Sequence, residues 1–259
     1  MSLQTFQQAL SDLTSSPELC VQARDNPKKV LGSYHLSSRE LMRITIILHQ
    51  RGMSTNCTLY RANRITPLYT LLPNTCFLLG KDLMRHAELF WKSYKETNLV
   101  FKQEITYFCN YLVKQIRSKT ITSPFLEEIL GLERAIVEFG FLSRKEISYE
   151  EHCTNLNEID PTVRLHPLIK VVPFVHDPIV LLSYLAEVQL PPEDINRGKY
   201  YLLLDARGDD LDVRQIDSLF GQLLQEIDTG AIEKRFPLAD NRLTPLIVRK
   251  SRNEKVECV

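Results

Sequence analysis

Glycine is scarce in this chain, with nine residues in 259, and tryptophan occurs once. Backbone cradles for phosphate are built from clustered glycines, and no such loop occurs; a Gly-x-Ser-x-Gly elbow and a His-Glu-x-x-His helix are also missing. Excess charge of either sign is lacking too. Lysine plus arginine equals aspartate plus glutamate at 32 each, so no global field draws the chain to nucleic acid or an anionic membrane. No apolar run approaches the ~20 residues that span a bilayer. The six cysteines, Cys20, Cys57, Cys76, Cys109, Cys153 and Cys258, are scattered, with no Cys-x-x-Cys and no cysteine-histidine cluster. A disulfide framework and a structural zinc are therefore not expected. The stretch Met1–Leu19 is polar and acidic where a secretory signal is cationic and then apolar, and with the cysteine pattern this points to a reducing cytoplasm.

What is present is an ordinary globular composition, 44% hydrophobic and 25% charged, in a chain long enough for one large or two modest domains. Residues 1–142 read as a helical bundle. Leu3, Phe6, Leu10 and Leu13 form a helical stripe closed at Pro17, and Ser37 with Glu40 has capping-box spacing before Leu41, Ile44, Ile47 and Leu48. Further helices are predicted over 81–95, 99–117 and from Ser123-Pro124 onward. The last carries Leu126, Ile129, Leu130, Leu132, Ile136 and Phe139 inward, with Gly131 a candidate bend.

Residues 143–161 turn polar and acidic and read as a linker. From 162 to 230 the pattern is β-α-β-β-α. Ile169-Lys-Val-Val172 suits a strand, Asp177-Pro178 caps a helix, Lys199–Asp205 is a second strand, and Leu211–Arg214 returns after a turn. A closing helix presents Ile216, Leu219, Phe220, Leu223 and Leu224. The fold class is thus α+β, a helical bundle followed by a small domain with a three-stranded sheet, two helices on one sheet face, and a tail over 231–259. Such a sheet leaves an edge to be covered or used.

The run from Tyr60 to Gly80 concentrates polar groups in an otherwise apolar stretch. Asn56 is placed to cap a helix carrying Leu59, Ala62 and Ile65, Thr66-Pro67 reads as a second start, and Pro73-Asn74 as a third, ending at Gly80. Arg61 and Arg64, three apart, share a face that is either solvated and paired with nearby acids or an anion or peptide contact.

The search for chemistry otherwise finds little. His166 and His176 flank the first C-terminal strand, ~30 Å apart at ~3.3 Å per residue, which suits turn and capping roles. Glu127, Glu128, Glu133 and Glu138 lack a histidine three residues on and read as a solvated acidic face. Asp205, Asp209, Asp210 and Asp212 fit a turn better than a calcium loop. Cys76 and Cys109 sit in apolar contexts that suit buried thiols.

The frame Tyr60-Arg-x-Asn63, Leu68, Leu71-Leu72-Pro73, Thr75 and Leu78-Leu79-Gly80 resembles a family of helical domains labelled as DNA-binding, found in partner subunits of bufferin-type and methanobactin-type peptide-modifying systems. Phe90-Trp-x-x-Tyr94, Phe108-x-x-Tyr111-Leu112 and Pro124-Phe-Leu-x-x-Ile129 continue the likeness in order. Leu165-His-Pro-x-x-Lys170, Asp177-Pro-x-Val180 and Tyr200–Leu204 resemble the sheet-bearing half of the same subunits.

The resemblance covers about four-fifths of the chain. It implies a non-catalytic subunit with no cofactor of its own, which pairs with a multinuclear non-heme iron oxidative enzyme holding the iron. Its task would be to bind the leader of a ribosomally made precursor peptide. Leader binding by strand addition is then expected on or beside Ile169–Pro173 or Tyr200–Asp205, through Ile169, Val171, Tyr200, Tyr201, Leu203 and Asp205. Arg61 and Arg64 become the expected partner interface, while Tyr60 and Asn63 fill buried polar positions. The alternatives are a DNA-binding regulator using Arg43, Arg51, Arg61, Arg64 and Lys81, and a stand-alone enzyme.

Overall fold

The computed structural model describes residues 3–94, 101–141, 158–159, 163–231, 236–237, 242–243 and 246–249. Its helices are α1 (Leu3–Ser15), α2 (Pro17–Asp25), α3 (Pro27–Leu31), α4 (Ser38–Leu48), α5 (Arg51–Leu71), α6 (Pro73–Leu79), α7 (Leu83–Ser93), α8 (Phe101–Arg117), α9 (Leu126–Phe141), α10 (Pro178–Ala186) and α11 (Ser218–Thr229). The strands are β1 (Glu158–Ile159), β2 (Val163–Leu165), β3 (Ile169–His176), β4 (Arg197–Asp205), β5 (Asp212–Ile216), β6 (Phe236–Pro237) and β7 (Ile247–Arg249). The chain forms two compact units, Met1–Leu71 with Met84–Ile105, and Leu72–Leu83 with Thr106–Val259. Helices α6 and α9 and most of α8 thus group with the strands, whereas the sequence reading drew its boundary at 142.

In the first unit, the capping box expected at Ser37 forms, and Pro17, expected only to close the first helix, also opens the next. The Ser16 hydroxyl accepts from Leu19 N with Pro17 at the first helical position, and Ser37 and Glu40 complete a reciprocal capping box on α4. Ala9, Leu13, Ala23, Leu31, Ile44, Leu48 and Met53 form the core of this bundle.

Helix α5 corrects the expected break at Thr66. It runs unbroken for 21 residues with Pro67 inside it and with Asn56 in its interior rather than at a cap. Proline removes one helical hydrogen bond, but buried Arg64 and Leu68 anchor the helix on either side. The expected stripe also falls elsewhere, since Leu59 and Ala62 are exposed, and Asn63, expected at a buried polar position, is exposed too while Tyr60 is half-buried.

In the second unit, β3, β4 and β5 form an antiparallel sheet in that order, with Val171 opposite Leu203 and Leu203 opposite Arg214. The sheet is covered on both faces, which corrects the expectation of two helices on one. Alternate residues of each strand point to opposite faces. Ile169, Val171, Tyr201 and Leu203 therefore meet Phe220, Leu224 and Ile227 of α11, while Val172, Phe174, Leu202 and Leu204 meet Ile129, Leu132 and Phe139 of α9 and Leu181 and Leu185 of α10. Leu219 of α11 and Ile136 of α9, both expected inside, are exposed, Leu219 by 81%. Helix α9 continues through Gly131, where an added Cβ would meet Val172 at an ordinary 3.7 Å.

The supposed linker and tail are joined in the described residues. Glu158–Ile159 pairs with Phe236–Pro237, and Val163–Leu165 with Ile247–Arg249, bringing Leu243, Leu246 and Ile247 into the α11 core. Strands of two or three residues distant in sequence carry no periodic signal, so neither pairing was foreseen. The rest of 143–161 and of 231–259 lies largely outside the described residues.

The acidic side chains of α9 are mostly engaged rather than solvated. Glu138 pairs with Arg134 and Lys170, and buried Glu133 accepts from Asn74 N (2.7 Å) and Thr75 N (2.9 Å) at the start of α6. Burial holds the Glu133 carboxyl above the ordinary carboxylate range, against the lowering effect of those hydrogen bonds. Burial likewise pushes the Cys76 and Cys109 thiols up to about 12, in keeping with their apolar contexts.

Two predictions follow from this packing. A β-carbon on Gly221 would lie 2.2 Å from Tyr201 Cγ, so Gly221→Ala is expected to cost about 1–3 kcal/mol in urea unfolding. For Glu133 the folded pKa exceeds the unfolded one, so its contribution is complete below the unfolded value, about 4.3, and shrinks as pH rises through the folded value. Glutamine has no such dependence. The stability advantage of the wild type over Glu133→Gln is therefore expected to fall as pH rises above the unfolded value in urea melts; an advantage that grows with pH contradicts this.

Candidate peptide-binding edge

A three-stranded sheet has two edges, and here they differ. On β3, Pro173 has no N–H to offer, and the register shifts between Phe174 and His176. Beyond the proline, Glu128 Oε2 accepts from Val175 N at 2.9 Å and His176 N at 3.0 Å, while Glu128 Oε1 lies 2.6 Å from His176 Nδ1. Phe125 packs edge-on against the His176 ring at 4.7 Å. Proline, bulge and carboxylate together blunt this edge in the way sheet proteins suppress unwanted pairing. On the opposite side, β5 pairs only with β4 among the described residues, and its residues are exposed or half-exposed.

A cavity of about 370 Å³ opens beside β5. Leu203, Ile216, Phe220 and Leu246 give it an apolar lining, and Arg214 and Arg242 stand at its rim. The start of α11 shapes this wall. Asp217 caps the helix, its Oδ1 accepting from Phe220 N at 2.9 Å, while its Oδ2 receives Arg242 Nη1 at 2.9 Å. The Phe220 N–H first, and Arg242 after it, hold the Asp217 carboxyl below the usual range. The Arg242 guanidinium lies 4.3 Å over the Phe220 ring, a cation–π contact that fixes both. Arg214 and Asp212 form a loose pair at 3.4 Å, both side chains more than half exposed. Among the described residues, a ladder open on its outer side beside an apolar seat with a charged rim is suited to an extended peptide.

Of the six residues assigned to peptide binding from sequence, four fall one strand away from this edge and two fall two strands away. Tyr200, Tyr201, Leu203 and Asp205 belong to β4, the central strand, whose backbone pairs on both sides. Ile169 and Val171 are on β3 but buried against α11, as are Tyr201 and Leu203; Tyr200 is half-buried on the opposite sheet face. Asp205 is held by Arg207 at 2.6 Å, which keeps its carboxyl low. Leu203 alone among the six lines the cavity. Arg214 was visible as the last alternating residue of the returning strand; Ile216, expected to open the closing helix, instead ends β5, and Arg242 and Leu246 lie in the supposed tail and had no signal.

The two arginines assigned to a partner interface are engaged within the first unit. Arg64 is 6% exposed; its Nε donates to Glu104 Oε1 at 2.8 Å, and its guanidinium lies 4.9 Å from the Trp91 ring centroid and 5.6 Å from that of Tyr60. Trp91 Nε1 donates to the same carboxylate oxygen at 2.8 Å. This buried pair cannot present a surface cation, which corrects the interface role for Arg64 and removes it from the basic patch of a DNA-binding surface. Arg61, about one-third exposed, pairs with Glu88 at 2.9 Å.

Among the described residues no group of three or more His, Cys, Asp or Glu side chains is placed to hold a metal, and no helix is long and apolar enough to cross a membrane. His166 Nδ1 receives Leu168 N at 3.1 Å, a turn role. No family model matches the chain, and no curated protein is significantly similar to it.

Removing Arg64 strands the Glu104 charge. Arg64→Ala is expected to cost about 3–5 kcal/mol and to change the emission of Trp91, whereas Arg61→Ala stays within about 1 kcal/mol, both read by denaturant unfolding followed through tryptophan fluorescence.

Proposed function

We propose that this chain is a non-catalytic partner subunit that binds the leader of a ribosomally made precursor peptide and presents its core to a multinuclear non-heme iron oxidative enzyme. The single observation that supports this most is the contrast between the sheet's edges, one blunted by Pro173, a bulge and Glu128, the other left beside an apolar groove at β5. An extended leader adds to β5 as a fourth strand, with main-chain hydrogen bonds supplying affinity and the groove supplying selectivity. The iron and the oxidative chemistry belong to the partner, and the contribution of this chain is to raise the local concentration of the core segment. The cytoplasm, where precursor peptides are made, is the proposed location. The resemblance of the Tyr60–Gly80 frame to such partner subunits supports the same role.

Co-expression of the chain with the product of the adjacent gene tests this directly. A heterodimer that elutes with bound iron and retains a precursor peptide is the expected result. Arg214→Glu with Ile216→Asp is expected to release the precursor while leaving the heterodimer intact. A chain that elutes alone, or turns over substrate with no second protein, sinks the proposal.

A further inference from the structure

The charges along β5 are ordered in a way that specifies a peptide sequence. Asp212, Arg214 and Ile216 occupy alternate positions and so share one sheet face, the one Ile216 uses to pack against the α11 core. Val213 and Gln215 occupy the other face, which carries no charge on this strand. Each residue of an added antiparallel strand stands directly opposite one residue of β5 and on the same face. Residues opposite Ile216, Arg214 and Asp212 are therefore met by an apolar seat, a cation and an anion in turn.

We infer that the β5 edge selects an extended peptide with the order apolar-x-acidic-x-basic, read from its N-terminus. The reading rests on β5 being the peptide-binding edge, and direction follows from the sheet, in which every neighbouring pair is antiparallel. An antiparallel peptide begins opposite Ile216 and ends opposite Asp212. Its first residue enters the cavity between Ile216, Phe220 and Leu246, its third meets Arg214 with Arg242 on the far rim, and its fifth meets Asp212. The exposure of Asp212 and Arg214 and their loose 3.4 Å pairing leave both able to turn toward a new partner across the strand. Intervening residues face Val213 and Gln215, so neutral β-branched residues suit them.

Two fluorescein-labelled peptides of identical composition separate this from general stickiness. One carries Leu-Thr-Glu-Thr-Lys between Gly-Ser flanks, the other Leu-Thr-Lys-Thr-Glu. Fluorescence polarisation with the full chain is expected to favour the first by about fivefold or more, from two cross-strand pairs changed from like to opposite charge. Exchanging the two charges by Asp212→Arg with Arg214→Asp inverts the preference, and Arg214→Gln alone reduces it; circular dichroism confirms that each variant is folded. Equal binding of the two peptides, binding of neither, or a preference that the exchange leaves unchanged overturns the inference. So does a dimer in light scattering that a charge change in β5 dissolves, since a second copy would then be the occupant. Heterodimer formation is read separately, so failure of the peptide order and failure of the proposed function are distinguishable.

Discussion

The contact between Gly221 and the Tyr201 ring sets the geometry of the second unit. With no β-carbon at that position, α11 lies directly on β4, close enough that any side chain would collide with the tyrosine. That approach buries Leu203, Phe220, Leu224 and Ile227 in one layer and fixes where the first turn of α11 stands. Asp217 and Phe220 are residues of that turn or its cap. The helix cap, the stacking of Arg242 on Phe220 and the apolar lining beside β5 all depend on the helix being held at this depth.

Covering both faces of a three-stranded sheet leaves only its edges for recognition. Helix α9 does more than cover one face, because Glu128 reaches the backbone of β3 and Glu138 pairs with Lys170 on the same strand. One helix thus packs the sheet and saturates part of an edge. The first unit treats its charges differently. Arg64, Glu104 and Trp91 make a buried ion pair in which a single carboxylate oxygen serves two donors, an arrangement that fixes how the three side chains meet more than it adds net stability.

Much of the architecture was legible because it rests on local rules. Ser37 with Glu40 and Asp177 with Pro178 marked helix starts that the backbone adopts, and the run Lys199–Asp205 marked a strand. Pro67 misled because a local start signal was overruled by burial on either side of it. Leu219 misled in another way: its spacing matches the inward stripe, but the turn that seats Phe220 and Gly221 on the sheet leaves Leu219 outside. The site itself was less legible. Strand order is a long-range property, and nothing in Tyr200–Asp205 says that it lies between two neighbours. Arg242 and Leu246 reach the groove only through the pairing of Val163–Leu165 with Ile247–Arg249.

The length of β5 limits what this edge can do. Five residues support a short ladder, and each side chain opposite adds only about 0.2–1 kcal/mol. Association also costs the ordering of a flexible peptide, so the strand addition proposed for this edge would yield modest affinity and ready release. Tight binding would suit an inhibitor or a permanent subunit. Modest binding suits a carrier, because a peptide held near a second protein's catalytic centre needs a high local concentration rather than a long residence. On the proposed reading, the alternating charges of Asp212 and Arg214 would serve the same end, keeping the edge from pairing with indiscriminate apolar strands while leaving it open to a strand of matching charge order.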